Sequence, residues 1–133
     1  IMKTLKIVIE KSSDSFGAYA QDVNGIYGAG DTLAEVKQSI NDAIDNIKTF
    51  DEKDIPEILK EDIELVFVFE TQSFLEYYDS IFTRAALSRL TGINEKQLGH
   101  YMQGLHKPRK DKAEKIEKAL HNLGEELLSV ALV

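Results

Sequence analysis

The stretch TRAALSRLTGINEKQLGHYMQG, residues 83–104, sets two short helical patterns on either side of one glycine. Thr83 stands where a hydroxyl accepts from a first-turn N–H, and Arg84 to Leu90 follow as a helix. Leu87 and Leu90 are expected to point inward, with Ala86 small enough for close helix approach. Gly92 is expected to stop that helix, because the left-handed conformation of a tight helix end costs glycine little. Ile93 is a core type of residue in the turn. Asn94, with Gln97 three positions on, is a capping pair for a second helix whose inner face is Leu98 and Tyr101.

Helix, tight glycine turn, helix is the plan in which the second helix presents its first residues to the DNA major groove. On that plan Glu95, Lys96, Gln97, Gly99 and His100 point outward. Asn94, Glu95, Lys96, Gln97 and His100 are therefore the candidate base contacts; Gln97 matches adenine bidentately, and Lys96 donates to guanine O6 or N7. Gly104 ends the helix, and His106, Lys107, Arg109 and Lys110 follow. With Arg84 from the first helix, Lys107, Arg109 and Lys110 are the candidate phosphate contacts. A last helix from about Asp111 carries Ile116, Ala119, Leu120, Leu123 and Leu127 on one face, and Ser73 is expected to cap an earlier helix holding Phe74, Leu75, Tyr77, Tyr78 and Ile81. A plain helical bundle fits the same spacing. The basic loop after the second helix is what favours DNA. His100, His106 and His121 share no helical face, which argues against a metal site.

The whole-chain charge points the other way until it is resolved along the sequence. The 133 residues carry a formal net charge of -7. Through Tyr78 there are seven Lys/Arg against sixteen Asp/Glu, a balance of -9, whereas residues 82–124 hold nine basic and four acidic residues, a balance of +5. Such a split suggests two modules with different partners, one of them a phosphate backbone. With no Cys, disulfides, thiol nucleophiles and thiolate zinc sites are excluded. No apolar run approaches the ~20 residues that span a bilayer and no signal-peptide pattern opens the chain, so a cytoplasmic protein without membrane contact is expected.

The acidic part reads as a separate module over residues 2–70, with 71–133 as the helical one. Met2 is taken as the initiating residue and Ile1 is set aside. Lys3 to Lys11 alternates, with Leu5, Ile7 and Ile9 on one face. Ser12 to Ser15 is a turn, Phe16 to Gln21 a second strand, Asn24-Gly25 a hairpin signal in which both residues tolerate positive φ, and Ile26 to Ala29 a third strand. Thr32 and Glu35 have the spacing of a capping box, the Glu35 carboxylate reaching back to the Thr32 amide. Behind them Leu33, Val36, Ile40, Ala43, Ile44 and Ile47 form one apolar stripe on a helix ending near Phe50. Asp51 to Glu64 reads as a connection with one helical turn around Glu57 to Lys60. Leu65 to Phe69, apolar on both faces, reads as a central strand. The fold class is α+β: a small βββαβ domain, then an all-α domain.

Glu10, Asp14, Asp22 and Glu70 invite comparison with a two-metal nuclease, which needs carboxylates converging from several elements. Asp14 and Asp22 fall in turns, and the others at strand ends. No Ser/His/Asp set, phosphate-binding glycine loop, HExxH helix or cofactor motif is present. An enzyme is not expected.

Two resemblances follow from these residues. LSRLTGINEKQLGHYMQGLHKPRKDKAEKIEKAL resembles the phage-repressor-like (Xre-type) DNA-binding domains, and GIYGAGDTLAEVKQSINDAI, residues 25–44, is similar to the signature of HicB antitoxins. Ser88 and Val36 stand where the respective patterns usually carry Ala. The HicB resemblance implies a degenerate, partial RNase-H-like first domain that binds and blocks HicA, a small basic RNA-cleaving toxin. It implies a second domain that binds the operon's own promoter, from a homodimer or higher oligomer. Candidate toxin-facing residues are Asp14, Tyr19, Asp22, Tyr27 and Asp31. A stand-alone regulator, its first module binding a small ligand or dimerising, is the alternative. The apolar LLSVALV tail is expected to meet another subunit or domain.

Overall fold

In the computed structural model, which describes residues 2–133, the alternation of Lys3–Lys11 forms strand β1. Its Leu5, Ile7 and Ile9 are buried, while Lys6 and Glu10 stay exposed. Strand β2, Phe16–Ala20, pairs antiparallel with β1, and strand β3, Tyr27–Gly30, pairs antiparallel with β2. Helix α1, Leu33–Ile47, leads through two 3-10 turns at Glu52–Asp54 and Glu57–Lys60 to strand β4, Ile63–Phe69. The sheet order is β3-β2-β1-β4, with β4 parallel to β1. Among the described residues, five α-helices and this four-stranded mixed sheet make an α+β fold.

Three details of the sheet depart from the sequence expectation. β4 lies at an edge, not the centre. Ile63, Leu65, Phe67 and Phe69 pack on the core, so the intervening Val66 and Val68 belong to the sheet's other face. That second apolar row had made the strand look central. The β2–β3 connection is also longer than a two-residue hairpin: the Ala20 N–H donates to the Ile26 carbonyl at 3.2 Å, and only Gly25 (φ 90°) takes positive φ there. Ile26 is fully buried instead of opening a strand, so its side chain anchors the loop in the core. Finally, Thr32 Oγ1 accepts from the Glu35 N–H at 3.1 Å, but the Glu35 carboxylate accepts from Asp31 rather than from Thr32, at 2.8 Å.

Helix α1 buries Val36, Ile40, Ile44 and Ile47 against one face of the sheet. The approach is close because β3 offers glycines under the helix. A Cβ on Gly28 would sit 3.0 Å from the Ile40 backbone nitrogen, and one on Gly30 would sit 2.7 Å from that of Val36. The Ala29 N–H donating to Ser39 Oγ at 3.0 Å ties the two elements further.

The chain divides into two compact units, one ending at Ser73 and the other beginning at Phe74, within helix α2, Thr71–Tyr77. The cap of α2 is Glu70, not Ser73: its carboxylate accepts from the Gln72 and Ser73 N–H groups at 3.0 and 2.8 Å. A carboxylate at a helix N-terminus also complements the helix dipole. In the second unit, helices α3, Arg84–Thr91, α4, Glu95–Met102, and α5, Lys110–Leu128, enclose a core of Leu75, Leu87, Ile93, Leu98, Tyr101, Met102 and Ile116. Leu90 is 38% exposed, contrary to expectation, because α3 turns Leu87 and Thr91, four residues apart, inward. Leu127 is exposed as well, along with Leu128, Val130 and Leu132, so the inner face of α5 stops short of its end. Phe74, Tyr77, Tyr78 and Phe82 form an aromatic group in which burial, with Tyr77 adding, raises the Tyr78 phenol above its ordinary 10.0.

The tight α1–β3 contact makes Gly30→Ala costly, since the obstructing atoms are backbone: a loss of about 1–3 kcal/mol is expected in urea denaturation. Gly17→Ala, where an added Cβ meets nothing within 4 Å, leaves stability unchanged or slightly raised.

Candidate nucleic-acid interface

The connection between α3 and α4 is three residues long, and each has a fixed task. Gly92 adopts φ 76° and its N–H donates to the Ser88 carbonyl at 2.8 Å, closing α3. Ile93 is buried, and Asn94 caps α4 by accepting from the Gln97 N–H at 2.8 Å. Thr91 adds a clamp that the sequence did not reveal: its hydroxyl donates to the Leu87 carbonyl at 2.7 Å and accepts from the Ile93 N–H at 3.1 Å. Lys115 of α5 also reaches this end of α3, its Nζ 3.6 Å from where a Gly92 side chain would begin. An ammonium there faces the negative end of the helix dipole.

Of the candidate base contacts, Asn94, Glu95 and Lys96 are exposed at the start of α4, while Gln97 and His100 are half-buried. The Asn94 side-chain oxygen is committed to the cap, so its free donor is the amide NH₂. The His100 and His106 rings meet edge to face at 4.8 Å, and His100 Nδ1 is buried with no hydrogen-bond partner. The chain returns on itself there, with the Leu105 N–H donating to the His100 carbonyl at 2.9 Å, so residues that share no helical face still meet. Gly99, expected to face outward, is buried beneath the side chain of Arg84.

The phosphate candidates are all exposed: Arg84 opens α3, Lys107 lies in the loop, Arg109 is the residue before α5, and Lys110 begins it. Lys110 makes only a 3.9 Å pair with Glu114, both side chains mostly in solvent, so it stays available to another anion. No family model matches the chain, and neither a curated protein nor a solved structure matches it.

The first unit presents a different surface. Opposite α1, paired residues Tyr27, Tyr19, Val8 and Val68 form one row across all four strands. Tyr27 is 68% exposed and Tyr19 36%. Asp22 lies in the loop joining their strands, whereas Asp14 and Asp31 flank the far end of the β2–β3 pair. The five protein-facing candidates thus share one hairpin without sharing one cluster. Of the carboxylates compared with a nuclease, Asp14 and Asp22 flank opposite ends of β2, whereas Glu10 and Glu70 lie at the ends of the paired strands β1 and β4, Glu70 being engaged in capping α2. Among the described residues no three His, Asp or Glu side chains are grouped to hold a metal ion, and no helix is long and apolar enough to cross a membrane.

The Thr91 clamp has a direct test. Thr91→Val keeps the shape but strands the buried Ile93 N–H, and about 1–3 kcal/mol of stability should be lost in thermal or urea denaturation. Thr91→Ser should keep most of it.

Proposed function

We propose that this chain is a cytoplasmic antitoxin of the HicB type that also represses its own operon, with no catalytic activity of its own. In this reading the βββαβ order of the first unit is a partial RNase-H-like domain, and α3, its three-residue turn and α4 are a helix-turn-helix. The observation that carries the reading is the α3–α4 pair itself: a glycine-closed turn and an asparagine cap that leave Glu95 and Lys96 exposed at the head of α4, followed by the basic loop from Lys107 to Lys110. Lys96 and Gln97 read base edges, while Arg84, Lys107, Arg109 and Lys110 hold phosphates. Two copies are needed to place recognition helices about one duplex turn, ~34 Å, apart on a palindromic operator.

The acidic unit is assigned to the toxin. A small basic ribonuclease of the HicA kind complements a -9 balance, and the exposed Tyr19 and Tyr27 supply apolar area on the hairpin whose loop holds Asp22. Inhibition then works by occlusion, the bound antitoxin keeping RNA from the toxin's site.

The deciding experiment is co-expression with a neighbouring gene for a small basic protein. That protein is expected to be lethal alone, harmless with this chain, and to co-purify with it. Failure to co-purify while upstream DNA is still bound would leave a stand-alone regulator. For the DNA half, Lys96→Ala and Gln97→Ala should relax base preference by roughly 1–3 kcal/mol, read by competition between duplexes. Arg109→Ala should weaken all duplexes and make the log–log salt slope shallower by about one.

A further inference from the structure

Gly99 lies in the middle of α4, one turn after the exposed Glu95 and Lys96, yet it is itself buried. What covers it is the guanidinium of Arg84. A Cβ at position 99 would stand 2.9 Å from Arg84 Nη1 and 3.4 Å from Cζ, so the guanidinium occupies the space that any other residue's side chain would fill. Arg84 nonetheless remains an exposed residue, and among the described residues no hydrogen bond or ion pair engages it. A guanidinium carries five N–H donors and a permanent charge. Held against a helix with those donors unclaimed, it loses less freedom on meeting an anion than a free arginine would.

We propose that Gly99 is a positioning residue: its missing side chain seats Arg84 against α4, so that an arginine from the first helix donates to a phosphodiester oxygen beside the groove read by the second. The inference rests on the DNA-binding reading and adds a coupling between the two helices. Glycine in a helix interior is otherwise unfavourable, and the three nearest atoms that a Cβ here would meet all belong to the Arg84 guanidinium. The obstructing atoms are the far end of a flexible side chain, so Gly99→Ala displaces Arg84 without disturbing the backbone.

Full-length wild type, Gly99→Ala, Arg84→Ala and the double variant are compared on the duplex upstream of the coding sequence and on a mixed-sequence duplex, across a salt series. Gly99→Ala should melt at the wild-type temperature or higher. It should weaken both duplexes roughly tenfold, about as much as Arg84→Ala. Each single variant should make the salt slope shallower by about 0.9, and the double variant should be no weaker than either. Without DNA, ¹⁵N relaxation of the Arg84 Nε–Hε group should show restricted motion in the wild type and free motion in Gly99→Ala. Additive losses in the double variant would mean that an alanine at 99 blocks the duplex itself, which overturns the seat. A mobile Arg84 in the wild type overturns it too. Wild-type protein that binds neither duplex sinks the DNA reading, and a restricted Arg84 in that protein overturns only the ligand assigned to the seat.

Discussion

Three residues are too few to let α3 and α4 find their own angle. Gly92 must turn left-handed, Ile93 must enter the core, and Asn94 must cap, all in succession. Thr91 locks the entry by spending both functions of one hydroxyl, so the turn is braced from the helix side as well as by its own backbone. Once that angle exists, the other contacts of the unit become possible: Leu98, Tyr101 and Met102 close on Leu87 and Ile116, Lys115 meets the end of α3, and Arg84 lies over Gly99. A looser connection would separate the exposed head of α4 from its supporting residues. A pair of helices this short needs such over-determination, because neither eight-residue helix would persist alone in water.

The elements of both units were largely legible, since each rests on local chemistry. β1 follows from strict alternation, α1 from a stripe at three- and four-residue intervals, and the α3–α4 pair from its caps and glycine. What local patterns could not supply is tertiary placement. Val66 and Val68 look like core residues until Ile63, Leu65, Phe67 and Phe69 are seen to supply the face that packs on the α1 core. Asn24-Gly25 looks like a two-residue hairpin until Ile26 is drawn into the core. Leu90 has core chemistry, but α3 turns toward Leu87 and Thr91.

The candidate site was legible to the same degree. Of the positions that spacing and charge picked out, Asn94, Glu95, Lys96, Lys107, Arg109 and Lys110 are exposed, while Gln97 and His100 are half-buried. The contacts among them did not come from spacing. His100 and His106 meet only because the chain folds back after α4, and Gly99 is buried only because an arginine fifteen positions earlier lies on it. A long side chain crossing between helices leaves no periodic trace. Glu70 shows the same blindness in another form: a carboxylate at a strand end reads equally as a metal ligand or a helix cap, and its two N–H partners decide the matter.

The parallel pairing of β1 with β4 sets an order of events in time. It joins Lys3 to Ile63 and Ile9 to Phe69, so the first strand waits for the last before the sheet can close. The helical unit packs α3 on both α4 and α5, contacts that span fewer residues than the β1–β4 pairing, and shorter sequence separation favours faster folding. During synthesis the four-stranded sheet therefore stays incomplete until β4 has left the ribosome.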